Sequence, residues 1–227
     1  VSTIILAAGK GTRMKSPTPK ILHKIAGNQL IAFSVDLSKA VGSKETVVVV
    51  SKETEQATRT ALADTGIKFC LQKTQLGTGD AVKIALKNVK IRSKHTLVLY
   101  GDTPFIKKGT IKRMMSKAKA GFDLVFLGFQ SPTKNSYGKF KIGPKKTLID
   151  IIEKNEPGYS SLGTLSNSGI LLARSKIIAS LIEKIKNNNA KQEYYLTDIV
   201  KLATESGHSS TYVQCEEDEC LGINSQF

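Results

Sequence analysis

The sequence predicts an α/β fold with three layers, in which a mixed, mostly parallel sheet is covered by helices on both faces and a small β-rich lobe is added. Three observations support this prediction. Strand-like and helix-like segments alternate over the first 130 residues, which is typical of parallel βα units. The strand-like runs are short and continuously apolar, as expected for strands that are buried on both faces. After Gln130, short strand-like runs separated by turns replace the alternation.

The alternating half begins with an apolar run and continues through four helices. The first helix follows from an apolar stripe at helical spacing, Leu30, Phe33, Leu37 and Val41, which ends at Gly42. The clearest strand is the run of four valines over 47–50. The predicted strands are 3–8, 46–50, 67–71, 96–100 and 123–129, and the predicted helices are 30–41, 53–64, 79–88 and 108–120.

The second half contains strands, two helices and a final strand. The predicted strands are 139–142, 148–152, 165–173 and 211–214, and the predicted helices are 175–187 and 194–204. We therefore expect a single domain over residues 1–227 with two parts, about 1–130 and 131–227. No six-residue repeat occurs, so a left-handed β-helix domain is not expected here.

Composition limits the class of protein. The net charge is +15, but the lysines are scattered and are not interleaved with aromatic residues, so we expect no nucleic-acid partner. There is no apolar run of roughly 18 residues and no signal peptide, so we expect no membrane partner. The small number of cysteines favours a reducing, cytoplasmic location. Three cysteines do not suggest a disulfide framework or a zinc site. An oligomer is possible, but no sequence feature predicts one.

The most informative segment is the loop after the first strand. The apolar run breaks at Gly9 into a glycine-bearing, cationic loop that closes at Lys20. Glycine backbone N–H groups can approach phosphate oxygens closely, and Arg13 and Lys20 supply positive charge. The spacing is not that of a P-loop, and the dinucleotide fingerprint fails because Met14 occupies its third glycine position. The segment therefore predicts a different kind of phosphate-binding loop.

Five motifs together resemble those of a known enzyme family. The run Leu6-Ala7-Ala8-Gly9-Lys10-Gly11-Thr12-Arg13-Met14 with Pro19-Lys20 resembles the signature of sugar-phosphate nucleotidylyltransferases. The four other motifs are Gln72-Lys73-Thr74-Gln75-Leu76-Gly77-Thr78-Gly79, Tyr100-Gly101-Asp102-Thr103-Pro104, Glu193-Tyr194-Tyr195-Leu196-Thr197-Asp198 and Leu221-Gly222-Ile223-Asn224. In this order, over the whole chain, they resemble the uridylyltransferase domain of the bacterial bifunctional N-acetylglucosamine-1-phosphate uridylyltransferase/glucosamine-1-phosphate acetyltransferase.

This resemblance implies a Rossmann-like fold of the nucleotide-diphospho-sugar transferase type. The first part of the chain would bind the nucleotide, and the second part would bind the sugar. The implied reaction joins UTP and N-acetylglucosamine 1-phosphate to give UDP-N-acetylglucosamine, a cell-wall precursor, and pyrophosphate. The implied cofactor is Mg²⁺, and the implied partners are these two small-molecule substrates.

The resemblance also implies roles for individual residues. Arg13 and Lys20 would be catalytic, and Asp102 and Asn224 would bind Mg²⁺, an ion that prefers hard oxygen ligands. The residues expected to bind the nucleotide are Leu6, Ala7, Ala8, Gly9, Lys20, Gln72, Gly77, Thr78, Tyr100, Gly101 and Asp102. The residues expected to bind the sugar are Gly138, Glu153, Asn167, Tyr195 and Thr197.

Simpler interpretations of single residues stay open. Taken alone, the Gln72 segment is an ordinary turn with a helix cap at Thr78, and Asp102 is a turn residue. Glu153 is equally well explained as a solvent-facing or paired charge at a strand end. Two alternatives for function also remain. One is a sister enzyme that uses another sugar 1-phosphate, dTTP or CTP, and the more distant one is a non-catalytic module that binds nucleotides or nucleic acid.

Overall fold

The computed structural model describes residues 1–11, 14, 16–131 and 135–223. Within these residues the strands are β1 (Ser2–Ala7), β2 (Lys24–Ile25), β3 (Asn28–Gln29), β4 (Thr46–Ser51), β5 (Lys68–Gln72), β6 (His95–Tyr100), β7 (Leu124–Gln130), β8 (Lys139–Ile142), β9 (Leu148–Ile152), β10 (Leu165–Arg174) and β11 (Ser210–Cys215). The helices are α1 (Leu30–Ala40), α2 (Glu55–Ala61), α3 (Thr78–Asn88), α4 (Lys108–Lys119), α5 (Ser175–Ile182), α6 (Ile199–Glu205) and α7 (Glu217–Cys220).

One mixed sheet organises the molecule, with the strand order β11-β7-β10-β6-β1-β4-β5. Strands β6, β1, β4 and β5 are parallel neighbours. Strand β10 is antiparallel to both β6 and β7, and β11 is parallel to β7. The predicted mixed, mostly parallel sheet is confirmed. The second part of the chain completes this sheet. Among the described strands of this sheet, the hairpin of β8 and β9 lies off the main strand order.

The sheet is buried on both faces because its strands are apolar at successive positions. In β1, Ile4 and Ile5 point to opposite faces, and both are completely buried. Helices α3, α5 and α6 cover one face, and α1 and α4 cover the other. The resulting three layers are those that the continuous apolar runs predict.

Three predicted helices are wrong in extent. A local hydrogen bond explains one of them, and contacts between distant residues explain another. Helix α2 begins late because the Thr54 hydroxyl accepts a hydrogen bond from the Ser51 N–H, which holds a turn before the helix. Helix α5 ends at Ile182 instead of residue 187. Residues 194–198 are not part of α6. The Tyr194 N–H donates to the Leu76 carbonyl at 2.7 Å, and the Tyr194 carbonyl accepts from the Gly79 N–H at 2.8 Å. Tertiary contacts there override helical periodicity.

The structure also contains elements that the sequence did not predict. Strands β2 and β3 form a short antiparallel hairpin ahead of α1, and α7 is a single turn after β11. Each is too short to give a periodic pattern. None of the helices in the described ranges is long and apolar enough to cross a membrane.

Candidate active site

A cleft of about 1080 Å³ opens where β1, β5 and β6 end. Ligands of open α/β sheets bind at this carboxyl edge. The predicted site residues that line it are Leu6, Ala7, Ala8, Gly9, Lys20, Gln72, Gly77, Thr78, Tyr100, Asp102, Gly138, Glu153, Asn167, Tyr195 and Thr197. Gly101 lies behind this lining, and Arg13 and Asn224 lie outside the described residues.

The glycine turn after β1 brings Lys20 into the cleft. Gly11 has a φ of +59°, and a Cβ at that position would lie 2.8 Å from the Cβ of Lys20. A larger residue at position 11 would therefore push the lysine away. The short 3-10 turn Lys20–Leu22 is held by the buried side chain of Ile21. As a result, the Lys20 side chain is only 12% exposed, and its ammonium forms an ion pair with Asp102.

Asp102 is placed by the end of β6 and by a glycine that packs tightly. The Gly101 N–H donates to the Leu6 carbonyl at 2.9 Å, which continues the pairing of β6 with β1. A Cβ on Gly101 would lie 2.8 Å from the Ile31 side chain. Gly101 thus positions the neighbouring carboxylate instead of lining the cleft. The Asp102 side chain is 25% exposed and lines the cleft, so it remains open on one side.

The chain that follows β11, which includes α7 and Ile223, contacts the backbone of Asp102. The Glu219 side chain is 6% exposed, and its carboxylate accepts hydrogen bonds from the Lys107 N–H at 3.2 Å and the Thr110 hydroxyl at 2.7 Å. These contacts cap the beginning of α4 and fix α7 against it. The Ile223 N–H then donates to the backbone carbonyl of Asp102 at 3.0 Å. Ile223 directly precedes Asn224 in the sequence.

Gln72 lies at the end of β5 and is 3% exposed. Its Nε2 donates to the Gly77 carbonyl at 3.2 Å and to the Asp80 carboxylate at 2.7 Å. Gly77 has a φ of +110°, and a Cβ there would lie 2.6 Å from the Tyr194 carbonyl oxygen. The loop between β5 and α3 therefore needs glycine at this position, and it is packed against the second part of the chain.

Thr78 and Tyr100 connect the two sides of the cleft. The Thr78 hydroxyl accepts from the Leu196 N–H at 3.1 Å. Burial raises the pKa of the Tyr100 phenol, and the Asp102 and Glu153 carboxylates raise it further, so the phenol stays protonated at neutral pH. The Tyr100 ring lies against Gly169, where a Cβ would be 2.6 Å from the ring.

The far side of the cleft carries the residues predicted to bind the sugar. Asn167 accepts from the Gly169 N–H at 3.0 Å through its Oδ1, and its own N–H donates to Gly138 at 2.8 Å. The Glu153 carboxylate accepts from the Thr197 hydroxyl at 3.0 Å. Burial is the main cause of a raised pKa for Glu153. The side-chain amide nitrogen of Asn167 and the second oxygen of Glu153 are groups that can bind hydroxyls.

The cleft is also lined by two loops that the sequence motifs did not indicate. They are residues 154–157, after β9, and residues 188–191, after α5. The second loop is held by Asn189, whose Nδ2 donates to the Glu193 carbonyl at 2.6 Å. The run of three asparagines at 187–189 is a turn signal that could have located this loop. Lys154 and Lys191 add two cationic side chains to the cleft.

Asp198 lies close to three other carboxylates, one of which is Glu153, and this acidic cluster predicts a pH-dependent stability. Burial raises the pKa of Asp198 to about 6, and the carboxylates of Glu156, Asp150 and Glu153 contribute to the rise. Because the folded-state pKa exceeds the ordinary value of 3.8, folding favours the protonated form. The stability that this proton supplies is present below pH 4 and is lost as the pH rises to about 6.

We expect Asp198→Asn to raise the free energy of unfolding at pH 7.5 by about 1–2 kcal/mol, after allowance for the partial exposure of the group. At pH 4 the variant and the parent should be almost equally stable. Asp198 makes no side-chain cap bond to α6, so the amide breaks no contact there. Urea unfolding at both pH values measures the effect, with the exposed Asp36→Asn on α1 as the control. An unchanged pH slope would contradict the assigned pKa.

The fold and the cleft define a class of protein. A mixed sheet with a cationic glycine turn and a carboxylate at its carboxyl edge is the arrangement expected of a nucleotidyltransferase. The chain matches the model of the MobA-like NTP transferase domain over residues 3–165, and it belongs to this family. It also superposes on the inositol-1-phosphate CTP transferase from T. maritima with a TM-score of 0.74 over 95% of this chain and 86% of that one. Their identity is 17%, so the similarity shows a shared fold.

Curated relatives confirm the resemblance that the five motifs indicate. The chain is 40% identical to the "Bifunctional protein GlmU" of Ruegeria sp. (strain TM1040), over 98% of this chain and 50% of the relative. It is 39% identical to the protein of the same name from Wolbachia sp. subsp. Brugia malayi (strain TRS), over 98% of this chain and 54% of that one. The chain thus spans about half the length of the curated relatives that it matches.

Proposed function

We propose that this chain transfers a uridylyl group from UTP to N-acetylglucosamine 1-phosphate, giving UDP-N-acetylglucosamine and pyrophosphate. Membership of the NTP transferase family supports nucleotidylyl transfer. The choice of substrates follows from the resemblance of the five motifs, and similarity to the bifunctional relatives over 98% of this chain agrees with that resemblance. The observation that carries the proposal is one continuous cleft in which the glycine turn, Asp102, Gln72 and Glu153 all take part.

The size of the cleft suits two substrates. Small-molecule sites typically occupy about 300–1,000 Å³, and this one has about 1080 Å³. The glycine turn and Lys20 lie at one side, and Asn167 and Glu153 lie at the other. A nucleotide and a sugar phosphate bound at these two sides would meet near Asp102.

The reaction needs no protein nucleophile. A phosphate oxygen of the sugar 1-phosphate forms a bond to the α-phosphorus of UTP, and the bond from that phosphorus to the bridging oxygen breaks. Pyrophosphate leaves with the electron pair of the broken bond. Such transfers depend mainly on alignment of the two phosphates and on stabilisation of negative charge.

Different residues of the cleft would bind the triphosphate, the base and the sugar. The backbone of residues 6–9 and the ammonium of Lys20 would bind the triphosphate, with Arg13 assigned the same task from its motif. Gln72 would contact the base. Glu153 and Asn167 would hold the sugar, and Tyr195 and Thr197 would complete that side.

The residues that the structure describes are compatible with Mg²⁺. Asp102 offers a partly exposed carboxylate at a strand end beside the glycine turn, and Mg²⁺ accepts one or two such protein oxygens, with phosphates and water as its other ligands. Asp102 would hold the ion, together with Asn224 as the sequence motif suggests. When bound, the ion would neutralise negative charge on the reacting phosphates.

Pyrophosphate release tests the proposal. The purified chain is incubated with Mg²⁺ and a matrix of UTP, CTP, dTTP and ATP against N-acetylglucosamine, N-acetylgalactosamine and glucose 1-phosphates. We expect the highest kcat/KM for UTP with N-acetylglucosamine 1-phosphate. A higher value for another pair would identify a sister enzyme. UTP binding without pyrophosphate release in any combination would indicate a non-catalytic module.

A further inference from the structure

We propose that Asp80 is a specificity-determining residue, which fixes the side-chain amide of Gln72 so that only its carbonyl oxygen is available to the nucleobase. This inference rests on the proposed function, and it adds a residue to which the sequence motifs assign no role. Asp80 lies in the first turn of α3, eight residues after Gln72. It would act on the base through Gln72 and not by direct contact.

The two hydrogen bonds of Gln72 define the orientation of its amide. An amide nitrogen has two N–H donors, and the amide oxygen only accepts. The Asp80 carboxylate and the Gly77 carbonyl also only accept, and they lie 2.7 and 3.2 Å from the Gln72 nitrogen. Rotation of the amide by 180° would place its oxygen against these two acceptors, so the observed orientation is strongly preferred.

This orientation leaves the amide oxygen as the one polar atom of the Gln72 side chain that is available to a ligand. Both N–H donors point to protein acceptors, whereas Oε1 makes no hydrogen bond within the described part of the chain. Gln72 lines the cleft although it is 3% exposed. The sequence alone suggested that Gln72 could both donate and accept towards a base. The structure restricts it to accepting.

A fixed acceptor distinguishes between pyrimidine bases. The N3 atom of uracil carries a hydrogen and can donate to Oε1. The N3 atom of cytosine has a lone pair there, so it would face another acceptor. A buried site built for one hydrogen-bond direction discriminates strongly, because the wrong partner leaves polar groups unpaired. The Asp80–Gln72 pair therefore favours uracil-type bases over cytosine.

The competing interpretation is that Asp80 only stabilises α3. An acidic residue in the first turn interacts favourably with the helix dipole, and Asp80 is the acidic residue of that turn. This role would change the melting temperature of a variant without changing its choice of nucleotide. The two interpretations can therefore be separated by one measured ratio.

The experiment compares kcat/KM for UTP and CTP, with N-acetylglucosamine 1-phosphate and Mg²⁺, in Asp80→Ala, Asp80→Asn and the parent. We expect the UTP-to-CTP ratio to fall by about 10–100-fold in Asp80→Ala. Asp80→Asn should give an intermediate ratio, because its own amide can accept from or donate to Gln72. Asp36→Ala, at an exposed position of α1, should keep the parent ratio.

A double variant shows whether Asp80 acts through Gln72. In the Gln72→Ala background, Asp80→Ala should cause no further loss of the UTP-to-CTP ratio, because the group that it orients is already gone. An unchanged ratio in folded Asp80→Ala would overturn the proposal. A full additional loss in the double variant would overturn it as well.

Equilibrium binding keeps this proposal separate from the proposed function. If the parent releases no pyrophosphate with any substrate pair, the proposed reaction fails. Calorimetric titration of UTP and CTP into the same variants would still measure base preference, and loss of UTP preference in Asp80→Ala would support the role of Asp80. If the parent bound UTP and CTP equally, or neither of them, the role of Asp80 would be overturned too.

Discussion

Lys20→Ala is expected to lower kcat by about 10²–10³-fold, the loss typical of removing one preorganised electrostatic group. The Lys20 side chain is 12% exposed, and its ammonium already lies at the edge of the cleft, paired with Asp102. Its charge is therefore held in place before the substrate arrives. Pyrophosphate release at saturating UTP and sugar phosphate measures the effect, with KM determined separately for each substrate.

The matched control is Lys24→Ala, which removes the same charge from an exposed position of the nearby β2. It should keep the kcat of the parent. Lys20→Arg should recover part of the rate because it retains a cation, although the guanidinium has a different shape. Turnover of Lys20→Ala within threefold of the parent, in a variant that remains folded, would remove Lys20 from the catalytic machinery.

Asp102→Ala is expected to abolish metal-dependent turnover, with a loss of at least about 10³-fold in kcat/KM. The substitution removes a carboxylate oxygen suited to Mg²⁺, and it also leaves the Lys20 ammonium without this partner. Mg²⁺ titrations of the rate should lose their saturation in the variant. Calorimetric titration of Mg²⁺ in the presence of UTP provides a second measurement that does not depend on turnover.

Two further variants show whether the effect of Asp102→Ala is specific to this carboxylate. Asp36→Ala removes an exposed carboxylate from α1 and should change neither the rate nor the Mg²⁺ dependence. The double variant Lys20→Ala, Asp102→Ala should show a loss smaller than the product of the single losses, because residues in contact are coupled. If Asp102→Ala kept the Mg²⁺ dependence of the parent, other oxygens would hold the ion.

The regular elements of the first half were predictable because their signals are local. Four valines in a row and an apolar stripe at helical spacing each lie within one element, and β4 and α1 form there. The loop after β1 was predictable for a similar reason, since its glycines and its lysine lie within a dozen residues. Lys20 and Asp102 are 82 residues apart, so no local signal brings them together. The prediction that both lie in one cleft came from the resemblance of the motifs to those of a known family.

The sequence failed where distant parts of the chain compete with local preference. The segment around Tyr194 has a helical pattern, yet its backbone hydrogen bonds go to Leu76 and Gly79, so it cannot begin α6. Strand β10 inserts between β6 and β7, and no local signal reports which neighbours a strand will take. Each of these outcomes depends on contacts between residues far apart in the chain.

The sequence by itself determined the class of fold, the glycine turn that brings Lys20 to the sheet edge, and the five motifs that identified the family. Three features were decided only by the tertiary structure. The Asp80 carboxylate accepts a hydrogen bond from the Gln72 amide, and Glu219 fixes the segment leading to Ile223. Asp198 lies among other carboxylates. The physical reason is that residue type limits which hydrogen bonds and charges are possible. The packing of distant segments selects the ones that form, and with them the direction of each donor and the pKa of each acid.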